Sequence, residues 1–147
     1  MFVTSHVLAG AVIGRALSRH PFGALVAGVV SHLGMDACPH WGLPEGSDPE
    51  LFLRVARCDG CAGLAAMAVS AGLSPGRSRR AVLAAMVGGA LPDLDKPMRH
   101  YFGIDPYPKA FTAFHVRIQD ESPKRLPHEL AVAAALAVAA VVVLRRP

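Results

Sequence analysis

Within the stretch SHLGMDACPH, His32, Asp36 and His40 recur every four residues. On a helix that spacing puts side chains on one face about 5–6 Å apart, close enough to share a metal ion. Pro39 is expected to end the regular helix, so His40 is the least secure member of the trio. A second group is LPDLDKP, where Asp93 and Asp95 follow an apolar segment between Pro92 and Pro97. Carboxylates placed there can divide into a ligand and a general base. The third group is FHVRIQDESP: a helical His115 and Gln119 would share a face, with Glu121 beside the turn opened by Ser122 and Pro123.

Five apolar segments must position these groups, at about 3–17, 22–37, 59–73, 79–92 and 128–144. They are rich in Ala and Leu and far longer than typical strands, which predicts an all-α protein, a bundle of about five helices in one domain spanning 1–147. Pro21 and Pro127 fit first helical turns, Ser78 fits an N-cap, and Pro92 closes or bends the fourth helix. The connection from about 93 to 127 is long for a compact domain unless it is functional. Residues of the chain are 52% hydrophobic but only 6% aromatic. The core must therefore be built from Ala, Val, Leu and Gly, which lets helix backbones approach closely. Intrinsic disorder is excluded by the same figures.

If the helices alternate in direction, charge segregates. Arg15, Arg19, Arg77, Arg79, Arg80, Arg145 and Arg146 fall at one end, and all 11 acids fall at the other. Short arginine-rich loops on one side are what the positive-inside rule produces. This predicts a membrane-embedded bundle with the N-terminus and polar site outside and the C-terminus inside. Each segment is short for a span, because about 15 residues rise only about 22 Å against a hydrocarbon core of about 30 Å. A soluble bundle with a polar site at one end is the alternative. MFVTSHVLAG lacks a basic stretch before its apolar residues, so a cleaved leader is not expected and Met1 is expected to begin the mature chain. Although the formal charge is +4, the basic end lacks aromatic interleaving, so nucleic acid is not an expected partner.

Each polar group also has a structural reading. His6 alone could be a hydrogen-bonded core residue, Asp93 and Asp95 could cap or turn, and His128 and Glu129 suit a helix start. Glu45, Asp48 and Glu50 read as a solvated loop. Convergence favours a metal: His6, His32, His40, His100, His115 and His128 all fall at the acidic end, where burying them unpaired would be costly. The mixed nitrogen and oxygen donors suit zinc first, with manganese or iron as alternatives. More than four candidates allow one ion or two, and two close ions suit phosphoester hydrolysis. A competing structural zinc site would use Cys38, His40, Cys58 and Cys61, since Cys58 and Cys61 have the two-residue gap of zinc knuckles. A disulfide is the other option for an extracytoplasmic thiol pair.

TSHVLAGAVIG, SHLGMDACPHWG and GGALPDLDKP resemble the motifs of the bacterial membrane-bound metal-dependent hydrolase family, small multi-helix proteins with a Thr-x-His start and a Leu-Pro-Asp-x-Asp signature. The His-x-x-x-Asp pair is also similar to that of the all-helical zinc-dependent phospholipase C group. These short motifs span about half the chain. The resemblance implies a hydrolase with His6, His32, Asp36 and Asp93 as metal ligands. The residues themselves add His115 as a ligand and Asp95 or Glu121 as general base. The expected substrate is a phosphoester or a lipid-linked molecule at the outer membrane surface. A non-catalytic membrane protein binding a metal or a partner is the second expectation.

Overall fold

The computed structural model describes residues 1–43 and 47–146, so Glu45 lies outside the described residues. The chain folds into α1 (Val3–Ala16), α2 (Pro21–Asp36), α3 (Pro49–Leu73), α4 (Gly76–Ala90), α5 (Asp95–Phe102), α6 (Lys109–Ile118) and α7 (Leu126–Leu144). Short 3₁₀ turns cover Leu91–Leu94 and Pro123–Arg125. The all-α expectation holds. Five helices match the five apolar segments, and the long connection folds into α5 and α6.

Two boundaries differ from expectation. Helix α3 begins at Pro49 rather than near 59, because the Asp48 carboxylate accepts the Glu50 amide at 3.1 Å and Pro49 occupies the first turn. Asp48 and Glu50 are therefore helix-start residues. Helix α4 begins at Gly76, and Ser78 lies inside its first turn with its hydroxyl donating to the Pro75 carbonyl at 3.1 Å. Pro21 and Pro127 do occupy first turns.

Helix α1 runs through the middle, buried at every position from Ser5 to Ala11. A helix enclosed on all sides needs no polar stripe. Val7, Leu8 and Ala11 pack with Val82 and Met86 of α4 and with Ala140 and Leu144 of α7. Ala24 of α2 packs with Ala81 and Ala85 on the other side of α4. Glycines set the closeness of these contacts. A Cβ on Gly28 would lie 2.2 Å from the Ala85 carbonyl oxygen, and one on Gly89 would lie 2.6 Å from the His6 carbonyl oxygen. Backbone therefore meets backbone where α4 crosses α1 and α2.

The N-terminal amides of α1 have no cap from their own helix and are satisfied from elsewhere. Asp59 of α3 accepts the amides of Val3 and Thr4 at 2.7 and 3.2 Å and the Thr4 hydroxyl at 2.6 Å. Glu129 of α7 is fully buried and accepts the Phe2 amide at 3.0 Å and the Ser5 hydroxyl at 2.9 Å. Two carboxylates thus fix the height and tilt of the helix that carries His6. At the opposite end the Arg15 guanidinium donates to the Arg146 carbonyl at 3.1 Å, which brings the ends of α1 and α7 together.

Outward faces are apolar. Phe22, Val26 and Val30 of α2, Leu64 and Val69 of α3, Leu83 and Val87 of α4, and Leu130, Val138 and Val142 of α7 are all exposed. Among the described residues, one segment, Pro123–Leu144, is long and apolar enough to cross a membrane.

Candidate metal centre

Helix α2 delivers His32 and Asp36 one turn apart on its buried face, and both are fully enclosed. Their mutual distance is 3.1 Å, His32 Nε2 to Asp36 Oδ2. The 3₁₀ turn after α4 brings Asp93, whose Oδ1 is 4.0 Å from His32 Nε2. Helix α6 brings His115, with Nε2 2.9 Å from Asp36 Oδ2 and 3.1 Å from His32 Nε2. Among the described residues this is the one group of three or more His, Cys, Asp or Glu side chains with donor atoms gathered closely enough for a metal: His32, Asp36, Asp93 and His115, all within 4.8 Å of one another.

The hydrogen bonds around His32 fix its chemistry. Its Nδ1 lies 2.7 Å from the Gly89 carbonyl oxygen, which can only accept, so Nδ1 carries a proton. In the neutral ring Nε2 is then a lone pair. That lone pair faces a carboxylate oxygen at 3.1 Å. Two acceptors at that distance inside a buried site need a proton or a cation between them. A backbone carbonyl that orients an imidazole through its second nitrogen is the usual support of a metal-binding histidine. The spacing also fits: with bonds of about 2.0–2.1 Å to a tetrahedral ion, neighbouring ligand atoms sit about 3.3 Å apart.

The other expected residues take distinct places. His6 stacks on His32 with ring centroids 3.8 Å apart, and its Nε2 is 3.1 Å from Asp36 Oδ1. It touches the cluster through the second oxygen of Asp36. The Met1 amino group reaches the same oxygen at 3.1 Å. Gln119 is not helical, as its spacing had suggested, but caps the end of α6 with extended backbone, and from there its amide donates to Asp36 Oδ2 at 3.2 Å. Asp95 is buried, with Oδ2 3.4 Å from the Arg99 guanidinium. Among the described residues, it makes no hydrogen bond or ion pair with the four-residue cluster.

Glu121 is tied to His40. The two residues form a parallel backbone bridge, with the His40 amide donating to the Asp120 carbonyl and the Ser122 amide to the His40 carbonyl, both at 3.0 Å. His40 Nδ1 donates to the Cys38 carbonyl at 2.8 Å, and Nε2 lies 3.4 Å from the Glu121 carboxylate. The His40 ring, outweighing partial burial, holds the Glu121 carboxyl below its ordinary range. Burial pushes the Asp93 carboxyl up, but the Lys96 ammonium 2.8 Å away and the nearby His32 bring it below the usual carboxylate range.

The alternative cysteine site is not assembled. Cys38, Cys58 and Cys61 are exposed free thiols, and His40 is withdrawn to Glu121. Cys58 and Cys61 lie on α3, where regular helix replaces the turn that a zinc knuckle requires. No disulfide forms. His100 and His128 are exposed, and Glu129 serves the buried anchoring role described above.

A cavity of about 710 Å³ adjoins the cluster between α1, α3 and α5. Asp93 belongs to both, and Lys96 and Glu121 line the same end of the cavity. Ligand sites of this size and position are common in enzymes. Compared with family models, with curated proteins and with solved structures, the chain matches none.

Proposed function

We propose that this protein is a divalent-metal-dependent hydrolase of phosphoesters, with His32, Asp36, Asp93 and His115 as the ligands. The observation that carries the reading is the buried His32 Nε2 lone pair held against Asp36 by the Gly89 carbonyl. Zinc suits the two imidazoles and two carboxylates best, with manganese or iron as alternatives. When bound, such an ion lowers the pKa of water and stabilises charge developing on a phosphoryl oxygen. Glu121 lines the cavity, so it is the carboxylate assigned to accept the water's proton. Gln119 and His6 orient Asp36 from either side.

The reading places the bundle in a bacterial membrane with the metal end on the outer side and the arginine end in the cytoplasm. Support comes from the exposed apolar faces of α2, α3, α4 and α7 and from the segregated arginines. Helices of 14–16 residues are shorter than the usual span, and a locally thinned bilayer accommodates them.

Elemental analysis of purified wild type, His32→Ala and Cys58→Ala tests the metal assignment. One to two equivalents in wild type and Cys58→Ala, with loss in His32→Ala, is the expected result. Loss only in Cys58→Ala would overturn it. Catalysis is tested with a phosphomonoester and phosphodiester panel before and after metal removal. Asp36→Ala is expected to express normally and show no metal-dependent turnover; wild-type turnover by that variant would sink the assignment. A metal retained without turnover on the panel favours a non-catalytic binding protein.

A further inference from the structure

The cavity beside the cluster is asymmetric in a way that the metal reading does not use. Its walls are mostly apolar, drawn from Val3 and Val7 of α1, Leu53, Leu64 and Met67 of α3, and Leu94, with Arg57, Asp59 and His100 also on the lining. Its polar end carries Asp93, Lys96 and Glu121, and Asp93 is also part of the metal cluster. A small hydrophilic phosphoester would leave the apolar walls facing water, at a cost that grows with the area left uncovered. A plain alkyl ligand would fill the walls but make no use of the Lys96 ammonium, which is paired with Asp93 at 2.8 Å and has further N–H donors for an anionic head. An occupant that satisfies both ends has an alkyl chain and an anionic head.

We propose that the cavity holds the alkyl chain of an amphiphilic phosphoester and presents its phosphoryl head to Lys96 and the metal ligands. The placement of the head beside the metal rests on the hydrolase reading; the seating of the chain does not. Lys96 recognises the head by charge, and its ion pair with Asp93 at 2.8 Å already brings a cation to the edge of the cluster. Chain length is then read by α3, whose residues line one side of the cavity. This defines the substrate class as single-chain alkyl phosphates and the like, whether drawn from a bilayer or from solution.

The chain's single tryptophan, Trp41, lines the cavity and stacks loosely on Phe2 with ring centroids 5.0 Å apart. It reports occupancy directly. Full-length protein held in amphipol, metal-stripped and zinc-loaded, is titrated with a terminally brominated undecyl phosphate, the corresponding alcohol, and inorganic phosphate, while Trp41 fluorescence is followed. Gly60 lines the cavity, and a Cβ there meets nothing within 4 Å, so Gly60→Phe adds a side chain to the cavity wall from a position that is open at Cβ. Replacing a mid-helix glycine also favours the helix, and unchanged metal content together with thermal unfolding checks that this variant is folded.

Saturable one-to-one quenching by the brominated phosphate is expected with and without zinc. Gly60→Phe is expected to weaken it by about tenfold or more while metal content is unchanged. Lys96→Met is expected to weaken the phosphate probe by about tenfold and leave the alcohol unaffected. Quenching of Gly60→Phe equal to wild type, or identical titrations of alcohol and phosphate in wild type and Lys96→Met, overturns the proposal. So does displacement by inorganic phosphate at the same concentration as the alkyl phosphate, which would mean that only the anion is bound. An absence of bound metal with quenching intact overturns the hydrolase reading and leaves the alkyl site standing. From a bilayer source, the same probe delivered in phosphatidylcholine vesicles quenches as well; quenching only from solution assigns the soluble source.

Discussion

Gly89→Ala tests whether the metal centre depends on the close approach of α4. Its added methyl would sit 2.6 Å from the His6 carbonyl oxygen and 3.1 Å from the His6 carbonyl carbon. Ordinary contact begins near 3.4 Å, so α4 and α1 must separate by about 0.8 Å at that level. Neither obstacle is a flexible side-chain tip, so the strain falls on the backbone of both helices. Overpacking of this kind costs about 1–3 kcal/mol of stability. The same displacement moves the Gly89 carbonyl away from His32 Nδ1, a contact of 2.7 Å. Loss of such an orienting partner weakens metal affinity by about 10–100-fold. Gly34→Ala on α2 is the control, since a Cβ there meets nothing, and removing a mid-helix glycine stabilises by about 0.5–1 kcal/mol. Chelator competition measures affinity and thermal unfolding in amphipol measures stability. Wild-type metal affinity in Gly89→Ala would refute the link between the helix crossing and the tautomer of His32.

Other expectations follow from the same contacts. Glu129→Ala strands the half-buried Phe2 amide and the buried Ser5 hydroxyl; a loss of about 3 kcal/mol in thermal or denaturant unfolding is expected, and a change below about 1 kcal/mol would contradict the anchoring role. Asp59→Ala removes the cap of α1 and is expected to cost about 1 kcal/mol, read by the same unfolding assay. Glu121 has its pKa lowered by His40, with Lys96 and the N-terminal amine also acting in that direction against burial. Its contribution to stability is therefore complete above the unfolded carboxyl pKa and is lost as pH falls through the folded value. Glu121→Gln is expected to flatten that acid limb in a stability-versus-pH series, and an unchanged limb would refute the pairing. Val138→Lys places a charge on the exposed face of α7. In water such a change is worth less than about 0.5 kcal/mol, whereas inside a bilayer it costs about 2.5–3.5 kcal/mol. Normal yield of detergent-free soluble protein would refute the membrane placement.

What the sequence makes legible is local. His32 and Asp36 share a face because helical spacing demands it, whereas Gln119 reaches the same carboxylate as His115 from the extended residue just past α6. The five bundle helices announce themselves through apolar runs bounded by Pro, Gly and charge. The first ten residues of α3 escape that signal, since Glu50, Arg54 and Arg57 interrupt the apolar pattern. Helix α5 is short and polar, although its end is marked by Gly103, the one glycine with positive φ among the described residues. Pairings across the fold leave no local mark. Glu129 reads as a first-turn acid suited to the helix dipole, yet its partners lie more than a hundred residues earlier. The separation of Glu121 from Asp95 likewise depends on where the returning chain meets His40, which no spacing encodes.

Helix α6 is the least embedded of the elements that supply a ligand. Its attachments are the side chains of His115 and Gln119 on Asp36, the Tyr107 hydroxyl on the Leu91 carbonyl just before it, and the His40 bridge just after it. The bundle helices, by contrast, close on one another through glycine and alanine contacts that need no ion. An ion held by His32, Asp36 and His115 would act as a clasp across 83 residues of chain. Occupancy of the site would then set how firmly the connection is shut, and protease cleavage between α5 and α6 would record metal binding without any substrate.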